Sequence, residues 1–195
     1  MKLISEKKFS RLQYITFKNV LRLLFDSNIL FQRKSYPSAF ALAILAQEEL
    51  GKVFIVDDII YHDNLRELDK ESLSWYIKDF HYHSTKQWRA ISFRYEHSKR
   101  GLKLHRRIFN KEIESMKQSA LYVGLTNKDV KGKITSPLNI TKNKTIKQIH
   151  FITEVIVHII KWKIGQTSFF DGLYIDNLLN RKLLIKLQKL LTSTS

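Results

Sequence analysis

Ser35-Tyr36-Pro37-Ser38-Ala39-Phe40-Ala41-Leu42-Ala43-Ile44-Leu45-Ala46-Gln47-Glu48-Glu49-Leu50-Gly51-Lys52 is the stretch that decides the fold. Ser35 suits a helix cap and Pro37 a first helical turn, where a missing N–H breaks no hydrogen bond. From Ala39 to Ala46 the chain is small or apolar on nearly every side, so the helix opened here belongs in the middle of a bundle. It runs to about Tyr61. Before it, Phe9, Leu12, Phe17, Val20, Leu21, Leu24 and Phe25 recur at three- and four-residue steps, which predicts a helix over residues 6–31. After it come a shorter helix near Lys70 to Phe80 and a long basic helical region from about Thr85 to Val123, with Gly101 as a break point. Gly124 to Asn139 is loop-like. An amphipathic helix follows over Lys142 to Ile164, carrying Ile146, Ile149, Ile152, Val155, Ile156 and Ile159. A last helix spans about Leu173 to Leu191. Six Gly and two Pro in 195 residues are too few to punctuate many short strands. The reading is all-α, a single domain over 1–195 built as a bundle of five to seven helices without significant sheet.

Charge is distributed unevenly. Residues 1–80 hold 12 Lys+Arg against 11 Asp+Glu, whereas residues 81–195 hold 22 against 7. A half with such an excess of one sign attracts polyanions, among them RNA, DNA and acidic proteins. The absence of Cys excludes disulfides, thiolate metal sites and thiol nucleophiles, and suits a reducing cytoplasm. The first eight residues lack the apolar run of a signal peptide, and the apolar run of 37–47 is followed too soon by charges to span a bilayer. The expectation is a cytoplasmic protein with no membrane partner and no cofactor.

Three clusters carry candidate chemistry. Glu48 and Lys52, four apart, are placed to pair on one helical face at the end of the apolar segment. Between residues 86 and 117 lie Lys86, Arg89, Arg94, Lys99, Arg100, Lys103, Arg106, Arg107, Lys111 and Lys117, opposed only by Glu96, Glu112 and Glu114. Trp88, Phe93, Tyr95 and Phe109 interleave with them. Basic residues follow phosphates and aromatics stack on unpaired bases, although Phe93 and Phe109 are expected in the core. His81-Tyr82-His83 has no carboxylate at ligand spacing, so no metal site is expected there. The helix over 142–163 is read as a bundle helix with its basic side in water rather than a membrane-surface helix.

Three blocks, in order, resemble the AbiV family of abortive infection proteins. Leu23-Leu24-Phe25-Asp26, followed by Ser38 to Lys52 with its ending Glu48-Glu49-Leu50-Gly51-Lys52, is similar to the family's N-terminal signature. Phe93-Arg94-Tyr95-Glu96-His97-Ser98-Lys99-Arg100 is similar to its basic segment centred on a His. Lys117-Gln118-Ser119-Ala120-Leu121-Tyr122-Val123 is similar to its Lys-x-x-x-Leu-Tyr-Val segment, with Gly124 where an Asp usually follows. The blocks make residues 1–125 a family-like core, followed by a basic loop (126–141) and C-terminal helices (142–195).

The resemblance implies the HEPN superfamily of helical bundles, many of whose members are homodimeric, metal-independent endoribonucleases. The HEPN mark, Arg then four to six residues then His, is matched by Arg100 to His105. On an ideal helix those two lie about 140° apart, whereas Arg94, His97 and Arg100 share a face. Both sets stay open: His97 is favoured by the family and His105 by the superfamily. Either His suits proton transfer during attack by a 2′-OH, and Arg suits the charge on a phosphorane. Glu48, Glu49, Lys52 and Tyr122 would support the site. Lys86, Arg89, Lys99, Lys103, Arg106, Arg107, Lys111 and Lys117 would bind RNA. The implied function is an antiviral effector, switched on by a phage-encoded factor, that shuts down translation by cleaving RNA in a homodimer. The alternatives are a non-catalytic RNA- or translation-machinery-binding protein and a scaffold for an acidic partner.

Overall fold

The computed structural model describes residues 6–62, 70–125, 134–165 and 180–193. Among them are eight α-helices: α1 (Glu6–Gln32), α2 (Tyr36–His62), α3 (Lys70–His81), α4 (His83–Tyr95), α5 (Lys99–Phe109), α6 (Glu112–Leu121), α7 (Lys142–Gly165) and α8 (Arg181–Ser193). The extra helix over the expected count arises because the basic region is broken twice. Between α6 and α7, β1 (Gly124–Leu125) pairs antiparallel with β2 (Ile134–Thr135), and a single 3₁₀ turn follows at Pro137–Asn139. The part of the predicted last helix before residue 180 lies outside the described residues.

α2 is the axis of the bundle, packed against α1, α3, α4, α6 and α7. Its Ala39, Ala41, Ala43, Ile44 and Ala46 are fully buried. These small side chains let neighbouring backbones approach, and Gly51 shows how closely. A Cβ there would stand 1.9 Å from the Lys86 carbonyl oxygen, so only Gly lets α4 lie against this turn of α2. Phe17 and Leu24 of α1 and Ile149, Ile152 and Ile156 of α7 fill the space around the axis. None of the described helices is long and apolar enough to cross a membrane.

The breaks in the basic region have local causes. Helix α4 stops at Tyr95, and Ser98 caps α5 by accepting a hydrogen bond from the Gly101 N–H at 2.9 Å. Gly101 is therefore inside α5 rather than between helices. Its missing Cβ, which would meet the Tyr95 carbonyl oxygen at 1.7 Å, lets the chain fold back tightly. The second break is Lys111, left-handed at φ 61°, with its N–H bonded to the Ile108 carbonyl.

Candidate functional site

Glu48 is brought inside by the packing of α4 and α6 on α2, and is 3% exposed. A buried carboxylate is tolerable only when its oxygens are satisfied. Oε1 accepts from Gln87 Nε2 at 2.9 Å and Lys117 Nζ at 2.8 Å, and Oε2 lies 2.8 Å from His83 Nδ1. Lys117, 4% exposed, also reaches Glu114 Oε2 at 2.8 Å. The short Glu48–His83 contact fixes the tautomer, because a lone pair on Nδ1 would face the carboxylate's own lone pairs. This contact assigns the hydrogen to Nδ1 of a half-exposed ring, with Lys117 Nζ 3.4 Å from the same nitrogen.

The charges in this cluster sustain one another. Burial opposes the Lys117 charge, but its contacts with Glu114 and Glu48 outweigh that and hold the ammonium above its ordinary range. Burial would likewise raise the Glu114 carboxyl, yet contacts with Gln118 and Lys117 hold it below the usual carboxylate range. Lys86 lies close by without such contacts, and burial pushes its ammonium down against the pull of Glu48. Glu48, His83 and Glu114 offer three metal-type donors within 4.8 Å of one another. The Lys117 ammonium sits on both carboxylates, where a divalent ion would have to bind. The absence of carboxylates read around His83 holds only along the chain, since α2 and α6 supply two.

A second feature lies on the other flank of α6. α5 and α7 diverge to leave a groove of about 390 Å³ with Arg100, Lys103 and Arg107 on one wall and Lys144 and Lys147 on the other. Phe40, Ile108, Ile113, Met116 and Phe151 line the floor. Among the described residues no acidic side chain lines it. Gln47 and Gln148 border both regions: Gln148 Nε2 donates to Gln47 Oε1, Gln47 Nε2 to the Gln87 carbonyl, and Gln87 to Glu48. Two hydrogen-bond runs thus meet at Gln87, one reaching the groove through its carbonyl and the other reaching His83 through its side chain and Glu48.

The residues singled out from sequence divide between these regions and elsewhere. Glu48 does not pair with Lys52; it turns inward, and Lys52 pairs with Glu49 instead. Lys86 and Lys117 are buried and cannot reach an RNA backbone without unpacking, which corrects their assignment as phosphate contacts. Arg89 is bound to Asp58 at 2.8 Å. Arg94, His97 and Arg100 do not share a helical face, because the helix ends at Tyr95 and His97 stands exposed in the turn. Arg94 donates to the Glu154 carbonyl of α7 at 2.9 Å. Arg100 lies over the Tyr95 and Phe151 rings at 4.9 and 5.6 Å and borders the groove. His105, on the other flank of α5, packs between Trp88 and Phe109. Lys99, Lys103, Arg106 and Lys111 are exposed, and Arg107 joins the groove wall while pairing with Glu112 at 3.0 Å. Tyr122, just past α6, is 62% exposed and belongs to neither region. Phe109, expected in the core, is 46% exposed.

Sequence reasoning missed His83, Gln87, Glu114, Lys144 and Lys147. His83 and Gln87 are spaced i,i+4 and Glu114 and Lys117 i,i+3, so each pair was visible as a helical face, but nothing along the chain joined them to Glu48.

Fold and sites together define a class, an all-α bundle with a buried ion cluster and a cationic groove. The chain belongs to the AbiV family, whose model, HEPN_AbiV, matches residues 8–158. That span contains the whole cluster and the whole groove, and Glu48 and Lys117, from two of the similar blocks, are bonded to each other. No curated protein and no solved structure matches the chain.

Proposed function

We propose that the protein is an abortive-infection effector of the AbiV type that acts on RNA, with the phosphate backbone held in the groove between α5 and α7. The observation that carries this reading is the convergence of Arg100, Lys103, Arg107, Lys144 and Lys147 on one cavity that no acid among the described residues lines. Arg107 pairs with Glu112 and Arg100 lies 3.9 Å from Glu154, yet the groove keeps an excess of positive charge, and a polyanion relieves the remaining repulsion by replacing small counterions. Family membership supports the antiviral role and, through the HEPN pattern, cleavage without a metal in a homodimer. A cytoplasmic ribonuclease of this kind needs a switch, and a phage-encoded protein that repositions the dimer would supply it.

In the cleaving form of this reading, His97 or His105 transfers the proton and Arg94 or Arg100 meets the phosphorane charge. Neither histidine lines the groove of its own chain, so the second copy would have to bring one to the bound strand. The same observation favours a second reading in which the protein holds RNA, or the translation machinery, and blocks translation without cutting.

Purified protein incubated with total cellular RNA, with and without lysate of infected cells, separates these readings. Cyclic phosphate ends that vanish in His97→Ala, or in His105→Phe with RNA binding retained, support cleavage. Binding without new ends, weakening steeply with salt, supports sequestration. Lys103→Glu with Lys147→Glu is expected to reduce RNA affinity at least about tenfold, and unchanged affinity would remove the groove from the proposal.

A further inference from the structure

α5 presents two unlike flanks. One is the cationic wall of the groove; the other carries Leu102, His105 and Phe109 in register. There His105 meets Trp88 at right angles with ring centroids 4.7 Å apart, and Phe109 lies over His105 at 4.4 Å and 33°. Trp88 in turn forms a wall of a separate cavity of about 350 Å³ between α3 and α4, with Trp75, Asp79, Arg89, Ser92 and Glu96. Trp75 is 65% exposed, far more than an indole normally remains without a ligand or partner.

The polar groups of this cavity reject one ligand class and suit another. Asp79 is nine-tenths buried, lines the cavity and makes no hydrogen bond among the described residues. Its neighbour Arg89 is committed to Asp58. Burial pushes the Asp79 carboxyl up, with Arg89 opposing and Asp58 reinforcing the shift. The Asp79 oxygens have no protein donor among the described residues and face the cavity wall, where a ligand's N–H can donate to them. Asp79 and Glu96 repel a phosphate. A flat ring with N–H donors on its edge satisfies both the indole walls and the carboxyl. The cations that would carry the adjoining phosphates, Lys99 and Arg106, stand exposed on α5.

We propose that the α3–α4 cavity holds one unpaired nucleobase bearing an exocyclic amino group, stacked against Trp75 and Trp88 with its amino edge on Asp79, from a single-stranded RNA whose backbone follows α5. This rests on the RNA reading above and adds to it a preference for single strands and for amine-bearing bases. Phe109 supplies a second exposed face for a neighbouring base. His105, clasped between Phe109 and Trp88, is in this account a positioning residue that holds the stacking surface in place.

Labelled oligonucleotides of about 12 residues test the proposal on the full chain: oligo(A), oligo(U), a strand of equal length lacking bases, and a duplex. Oligo(A) should bind at least about tenfold tighter than the baseless strand and several-fold tighter than oligo(U), with quenching of tryptophan fluorescence. Trp75→Ala and Phe109→Ala, both at exposed positions and therefore safe for folding, should each lower oligo(A) affinity by about five- to a hundredfold and leave the baseless strand unaffected. Asp79→Ala should abolish the preference for oligo(A) over oligo(U). His105→Phe should retain oligo(A) binding that His105→Ala loses. Equal binding of oligo(A), the duplex and the baseless strand, or indifference to Trp75→Ala, overturns the base pocket while leaving the groove intact. Failure of every strand to bind overturns the RNA reading and this proposal together.

Discussion

Lys117 and Lys103 lie fourteen positions apart in one basic stretch, and the fold gives them opposite tasks. Lys117 is 4% exposed and bonded to two carboxylates from different helices. Lys103 is exposed, in a groove lined by four other cations and, among the described residues, no acid. Inside the bundle the ammonium ties α2 to α6. On the groove the same group remains uncompensated and ready for an anion. A run of like charge is therefore a mixture of structural and binding residues, and burial, rather than residue type, sorts them.

Breaking the buried side has the largest expected effect. Lys117→Met removes from Glu48 the only cation hydrogen-bonded to it among the described lysines and arginines, at a cost of about 3–5 kcal/mol in chemical denaturation. Glu48→Gln with Lys117→Met should be markedly more stable than Lys117→Met alone, because no uncompensated charge then remains at Glu48. If the single variant is as stable as the wild type, the cluster is not what joins α2 to α6. Gly51→Ala comes next. The clash with the Lys86 carbonyl must part α2 from α4, costing about 1–3 kcal/mol in a thermal or urea melt. The groove gives the reverse pattern: Lys144→Glu should change stability by less than about 0.5 kcal/mol. It should also reduce the salt dependence of RNA binding by about one counterion. A loss of stability with no change in the salt slope would make the groove a packing feature.

The all-α class and most helix positions were legible because apolar spacing reports helices directly. The apolar run of 39–46 marked α2 as central, and it is. The basic region was harder. Gly101 looked like a break but sits within α5, while Lys111, which makes a real break, carries no Gly or Pro signal. The site was legible only in parts. Glu48 stood out as a charge at the end of an apolar helix, but its partners lie 35, 39 and 69 residues away, and no local spacing announces them. The i,i+4 rule pointed to Lys52 instead. That rule describes exposed helix faces, whereas Glu48 is held by tertiary contacts that outweigh a surface pair. Lys144 and Lys147 escaped notice because only the crossing of α5 and α7 makes them neighbours of Arg100 and Lys103.

The smallest effect is a difference of sign between two carboxyls, one in the buried cluster and one in the cavity beside Trp75. Glu114 is held below its ordinary pKa of 4.5 in the folded chain, so its ionised form stabilises the fold. That stabilisation is present above the unfolded value and is lost as pH falls through the folded one. Asp79 is raised above 3.8, so its ionised form weakens the fold, and the penalty fades as pH falls through the raised folded value. Urea midpoints measured from about pH 7 down to about pH 3 should therefore diverge between Glu114→Gln and Asp79→Asn. The first should be less stable than wild type at neutral pH and converge with it in acid. The second should be at least as stable as wild type at neutral pH and lose that advantage in acid, because the neutral amide removes the cost of a buried charge. Parallel curves for the two variants would mean that pairing with Lys117 does not favour the ionised form of Glu114, and the contrast between a paired and an unpaired carboxyl would have no thermodynamic content.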